Sequence, residues 1–117
     1  MRFKRHYCDL YGFYLYIVDG TEKEIYKSFK IEADEGFYSF SYTVNSPTLK
    51  TYALFNTKNN FELFYIVHEA DHCTNDIMHY YGFKADFNND EAHAYLLGWI
   101  VDKIFKFFKL ELITYDK

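Results

Sequence analysis

The chain has 117 residues, half of them apolar and 23% aromatic, with a formal net charge of -4. That length fits a single domain over residues 1–117 with a real hydrophobic core, and the composition excludes a disordered chain. The acidic balance argues against a nucleic-acid partner, which normally meets a basic face.

In chain order, the first feature is the basic cluster Arg2-Phe3-Lys4-Arg5, which reads as a solvated end rather than a binding arm. Residues 9 to 18 are rich in aromatic and β-branched side chains, and Asp19-Gly20 supplies a turn, so a strand is expected there. The same stretch loosely mimics a signal peptide, but it is tyrosine-rich and lacks a small-residue cleavage site. Thr21 followed by Glu24 fits a capping box and predicts a short helix near 21–30. A competing reading makes Ile25 to Ile31 a strand.

Residues 37 to 44 alternate, with Tyr38, Phe40, Tyr42 and Val44 on one side and Ser39, Ser41 and Thr43 on the other. This is the pattern of a half-buried strand. The only proline lies in the turn Asn45-Ser46-Pro47-Thr48, and residues 49–56 form the second arm of a hairpin. A long helix is expected from about 60 to 81, capped by Asn59 or Asn60 at its start and by Gly82 at its end. After a polar loop over 83–89, a last helix begins near Asp90 with the apolar stripe Leu97, Ile100, Val101, Ile104 and Phe108. Strands first and two long helices last predict an α+β fold, with about three antiparallel strands and the helices against one face. The apolar run 94–101 is too short to span a bilayer, so no membrane partner is expected. Two distant cysteines, Cys8 and Cys73, read as reduced, packed thiols, which suits a cytoplasmic chain.

The stretch that carries chemistry is His68-Glu69-Ala70-Asp71-His72 in the middle of the first long helix. Residues i and i+4 share a helix face, so both imidazoles project together and can hold one zinc ion. Glu69 is rotated about 100° from His68, beside the expected position of a metal-bound water. A catalytic zinc needs a third protein ligand, and Glu91, in the first turn of the last helix, is the candidate. The competing reading packs the two histidines as hydrogen-bonded core groups. Burying them with a glutamate in an aromatic core is costly without partners, which favours the metal.

HEADH followed by Asn89-Asp90-Glu91-Ala92-His93-Ala94-Tyr95-Leu96 resembles the gluzincin group of zinc metallopeptidases, especially its minimal members, and is similar to small phage-encoded HExxH proteins. The resemblance covers residues 61 to 101. It implies one Zn²⁺ per chain held by His68, His72 and Glu91, with Glu69 as general base for a zinc-bound water that hydrolyses peptide bonds. It also implies an edge strand, expected at 49–56, that pairs with a peptide or protein substrate. Larger gluzincins carry an acid one turn after the glutamate ligand, and here Tyr95 stands there. Its hydroxyl can bond a ligand or an oxyanion; Tyr65 and Tyr80 are further candidate donors. Asp76 is a candidate support for His72, while His79 and His93 read as rim and surface residues. The alternative function is a zinc-stabilised, non-catalytic protein-binding factor, phage-encoded and acting on a host protein in the host cytoplasm. A homodimer is compatible with the aromatic content.

Overall fold

The computed structural model describes residues 1–84 and 86–110; Ala85, inside the loop expected over 83–89, lies outside the described residues. Seven elements follow in order: β1 (Arg2–Cys8), β2 (Phe13–Asp19), α1 (Glu22–Phe29), β3 (Ser39–Asn45), β4 (Leu49–Phe55), α2 (Leu63–Tyr80) and α3 (Glu91–Phe107). The fold is α+β, and its strands form one sheet in the order β1-β2-β4-β3.

Two expectations about the sheet are corrected. It has four strands rather than three, and it is mixed, because β2 and β4 run parallel while both outer pairs are antiparallel. The missed strand is β1. Its side chains are almost all exposed, with Cys8 the one buried member, so no apolar alternation announces it. Its Arg and Lys residues suit an edge, where charge discourages pairing with another chain. Gly12, at φ +65, makes the turn into β2 and donates its N–H to the Cys8 carbonyl at 2.7 Å.

The helix boundaries follow from where short polar side chains spend their hydrogen bonds. Thr21 and Glu24 form the expected capping box, with the Glu24 N–H on Thr21 Oγ1 at 3.3 Å and the Thr21 N–H on Glu24 Oε1 at 2.9 Å. α2 starts at Leu63, later than expected, behind Glu62 without a side-chain cap. Asn59 is diverted to the carbonyls of Gly36 and Phe37. Asn60 accepts from the Phe61 N–H at 2.9 Å. The far end of α2 closes as expected on Gly82, at φ +72. The Gly82 N–H reaches the His79 carbonyl and the Phe83 N–H reaches Met78, the paired bonds of a Schellman motif.

Strand alternation splits the core in two. Phe13, Leu15 and Ile17 of β2 and Phe55 of β4 pack against Ile66, Cys73 and Ile77 of α2 and Leu96, Ile100 and Ile104 of α3. Val18 and Leu54 point to the opposite face and pack with Ile25 of α1 and Ile31. Helices therefore lie on both faces, not one. Both cysteines are free and buried, as expected. Burial pushes the Cys8 thiol up and the Cys73 thiol to about 12. Among the described residues no helix is long and apolar enough to cross a membrane.

Ile100 is fully buried between α3 and the sheet, so Ile100→Ala should cost about 2–5 kcal/mol, read as a lowered urea midpoint. The Thr21 backbone N–H, then the Met1 amino group and the Thr21 hydroxyl, hold the Glu24 carboxyl at about 2, below its ordinary 4.5. A depressed folded-state pKa contributes stability above pH 4.5 that is lost as pH falls towards 2. Melting temperatures of wild type and Glu24→Gln should therefore differ at pH 6 and converge by about pH 2.

Candidate metal centre

α2 turns one side to the sheet and the other outward. Ile66, Glu69, Ala70, Cys73 and Ile77 are buried, whereas His68 and His72 are exposed one turn apart. Their Nε2 atoms face each other at 3.2 Å, with ring centroids 4.7 Å apart and planes at 81°. Phe64, a turn earlier, stacks on His68 at 5.3 Å and 26°. Three rings thus climb one helix face at i, i+4 and i+8.

Glu69 is 3% exposed and lies under the pair. The Ser39 hydroxyl of β3 donates to its Oε2 at 2.6 Å, and among the described residues Ser39 is its one hydrogen-bond donor. The polar side of β3 thus faces α2. Two residue pairs along it, Thr43 also donates, to Asp76 at 2.9 Å. Asp76 therefore serves the strand contact, and among the described residues no hydrogen bond joins it to His72, which the sequence had suggested it supports.

The donor atoms of His68, Glu69 and His72 all lie within 4.8 Å of one another. This arrangement fits a divalent cation on two counts. Two imidazole nitrogens at tetrahedral zinc sit about 3.3 Å apart, from bonds of about 2.0–2.1 Å. The observed 3.2 Å is close to that edge. A buried carboxylate with a single hydroxyl donor is also short of partners, and a cation beside it offsets the burial. The pair separates two clefts. One, of about 270 Å³, is lined by Ser39, Phe40, Ser41, His68, Glu69 and His72. The other, of about 360 Å³, lies between α2 and α3 with Phe64, Val67 and Leu97 in its walls.

Glu91 and Tyr95 are not part of this group. Glu91 is the first residue of α3 and is exposed, and Tyr95, one turn on, is 51% exposed. The side chain that α3 turns to α2 is instead His93, whose Nε2 lies 3.1 Å from Asn75 Oδ1 and 3.5 Å from Asp71 Oδ1. Two helical residues are about 200° apart, so facing His93 to α2 carries Glu91 away. This corrects the reading of His93 as a surface residue, since its side chain is only 23% exposed. His79 is exposed, as a rim residue would be. Tyr65 Oη accepts from the Asn60 amide at 3.0 Å, and Tyr80 is 46% exposed.

The expected edge strand is also corrected. β4 is paired on both sides, by β2 and β3, and it is β3 that forms the edge over the site. Sequence reasoning missed the roles of Ser39 and His93. The alternation over 37–44 placed Ser39 on the polar side of its strand, but nothing local says that this side meets α2. Comparison of the chain with models of protein families, with curated proteins and with solved structures found no match.

Removing the Ser39 hydroxyl leaves Glu69 without its hydrogen bond. Ser39→Ala should destabilise the fold by about 1–3 kcal/mol, measured by denaturant titration of the apoprotein.

Proposed function

We propose that the chain is a zinc-dependent hydrolase of peptide bonds, with His68 and His72 holding the metal and Glu69 as general base. The observation that carries this reading is the 3.2 Å Nε2 pair beside a buried carboxylate, in a cleft bounded by a sheet edge. Zinc bound there supplies Lewis acidity, which brings the pKa of a coordinated water towards neutrality and polarises a carbonyl. The chain's own residues do the rest. Ser39 fixes Glu69 through Oε2, which leaves Oε1 to accept the proton of the attacking water and pass it to the leaving amine. Among the described residues β3 presents the unpaired edge of the sheet next to the pair, where an extended substrate backbone adds as a further strand. The buried position of Glu69 keeps competing water from its carboxylate.

A second reading draws on a different observation. Among the described residues Glu69 is the one carboxylate within 4.8 Å of both imidazoles, whereas Glu91 stands outside the group. If Glu69 is itself the third ligand, it is not free to act as base, and zinc stabilises a protein-binding factor without turnover.

One substitution separates the two. In the hydrolase, Glu69→Gln keeps one zinc per chain by elemental analysis and slows cleavage of a quenched peptide by about 100-fold or more. Loss of zinc from that variant, with no cleavage by wild type, identifies the second reading. His72→Ala should lose the metal under either, and a wild-type chain purified with zinc present but holding none defeats both.

A further inference from the structure

The face of the sheet turned away from His68 and His72 carries a surface that the metal centre does not use. Strand register lines up Arg5, Tyr16, Tyr52 and Tyr42 as one row across all four strands. Tyr7, Tyr14, Lys50 and Val44 form the adjacent row. α1 covers the end of this face near Val18 and Leu54, and its Phe29 also packs edge-on against Tyr16 and the buried Tyr52; α2 and α3 lie on the other side. Tyr16 stacks on Tyr52 at 4.6 Å and 23°, and Tyr7 lies 4.9 Å from Tyr14. The Arg5 guanidinium sits 5.0 Å over the Tyr14 ring. Tyr7 and Tyr42 remain 51% and 44% exposed. Towards α1 the face deepens into a groove of about 620 Å³, lined by Phe3, Lys4, Arg5, Tyr16 and Phe29.

We propose that this face binds single-stranded nucleic acid, with bases stacked on the exposed rings of Tyr7 and Tyr42 and phosphates met by Arg5 and Lys50. Ring faces interleaved with cations are what an unpaired strand needs, because every base offers a π-face and every linkage a negative charge. Charge on the surface matches that partner, since neither row nor the groove contains a carboxylate. The same rows lack asparagine and glutamine as well, so they hold none of the paired acceptors and amides with which proteins grip sugar hydroxyls. The net charge of -4 does not oppose this, because many of the acids sit on the helices beyond the sheet, among them Asp71, Asp76, Glu91 and Asp102. In this proposal Phe3 and Arg5 belong to the platform, whereas Arg2 turns to the α3 side, over Phe107 and Phe108. The proposal is independent of zinc.

The test is fluorescence anisotropy of labelled 12-nucleotide single-stranded DNA and RNA with the full chain. Expected are binding at low salt and a log–log salt slope of about -1.4, for about two phosphate contacts. Arg5→Glu, and Tyr7→Ala with Tyr42→Ala, should each weaken binding about tenfold or more. Lys84→Glu, in the α2–α3 loop, should bind like wild type. All of these side chains are exposed or half-exposed, and circular dichroism checks that the variants fold. Absence of binding at low salt overturns the proposal. Binding that survives the tyrosine changes, as charge attraction alone would give, also overturns it. So does a face that pairs two copies of the chain, seen as concentration-dependent association lost in Tyr42→Ala without any oligonucleotide binding.

Discussion

The hydrogen bond from Ser39 to Glu69 is the contact on which the site depends. It joins the edge strand β3 to the middle of α2 and occupies a carboxylate that burial would otherwise leave short of partners. A helix carries its side chains as a rigid set, so anchoring Glu69 inward fixes where its neighbours point. His68 precedes Glu69 by one residue and His72 follows by three, and both emerge on the outward flank. The 3.2 Å approach of their nitrogens is thus a product of helix geometry and one strand-to-helix bond.

Much of this was legible in the sequence. The capping box at Thr21, the hairpin around Pro47 and the glycine end of α2 are local signals, and each appears where its chemistry placed it. The HEADH spacing is local too, which is why the imidazole pair could be foreseen. What was not legible depends on distant partners. β1 carries charge where an apolar pattern would have marked it, and only pairing with β2 makes it a strand. The parallel union of β2 with β4 joins segments with a helix and a strand between them, and no window of sequence contains it. Likewise the rotation of α3 about its axis decides whether Glu91 or His93 meets α2. That rotation follows from burying Leu96, Ile100 and Ile104, not from the polar residues at the helix start.

The two faces of the sheet differ in chemistry as well as in cover. Towards α2 and α3 the central strands are apolar, with Phe13 and Phe55 among their aliphatic residues, and the β3 edge is hydroxylic, with Ser39 and Thr43 bonded to acids of α2. On the reverse side tyrosine prevails, and α1 shields part of it, through Ile25 and Phe29. Tyr7, Tyr14, Tyr16, Tyr42 and Tyr52 find a reason in this division, since a half-covered sheet face favours rings with a wet hydroxyl.

The parallel pairing at the centre also dictates an order of assembly. As the chain is synthesised, β2 can zip to β1 early, but its other edge stays open until α1, β3 and β4 have all been made. That waiting edge belongs to Leu15, Ile17 and Val18, an aliphatic strand of the kind that sticks to its own copies. The nascent protein is most exposed to aggregation in that interval, and the β3–β4 hairpin, by arriving as a preformed unit, shortens it.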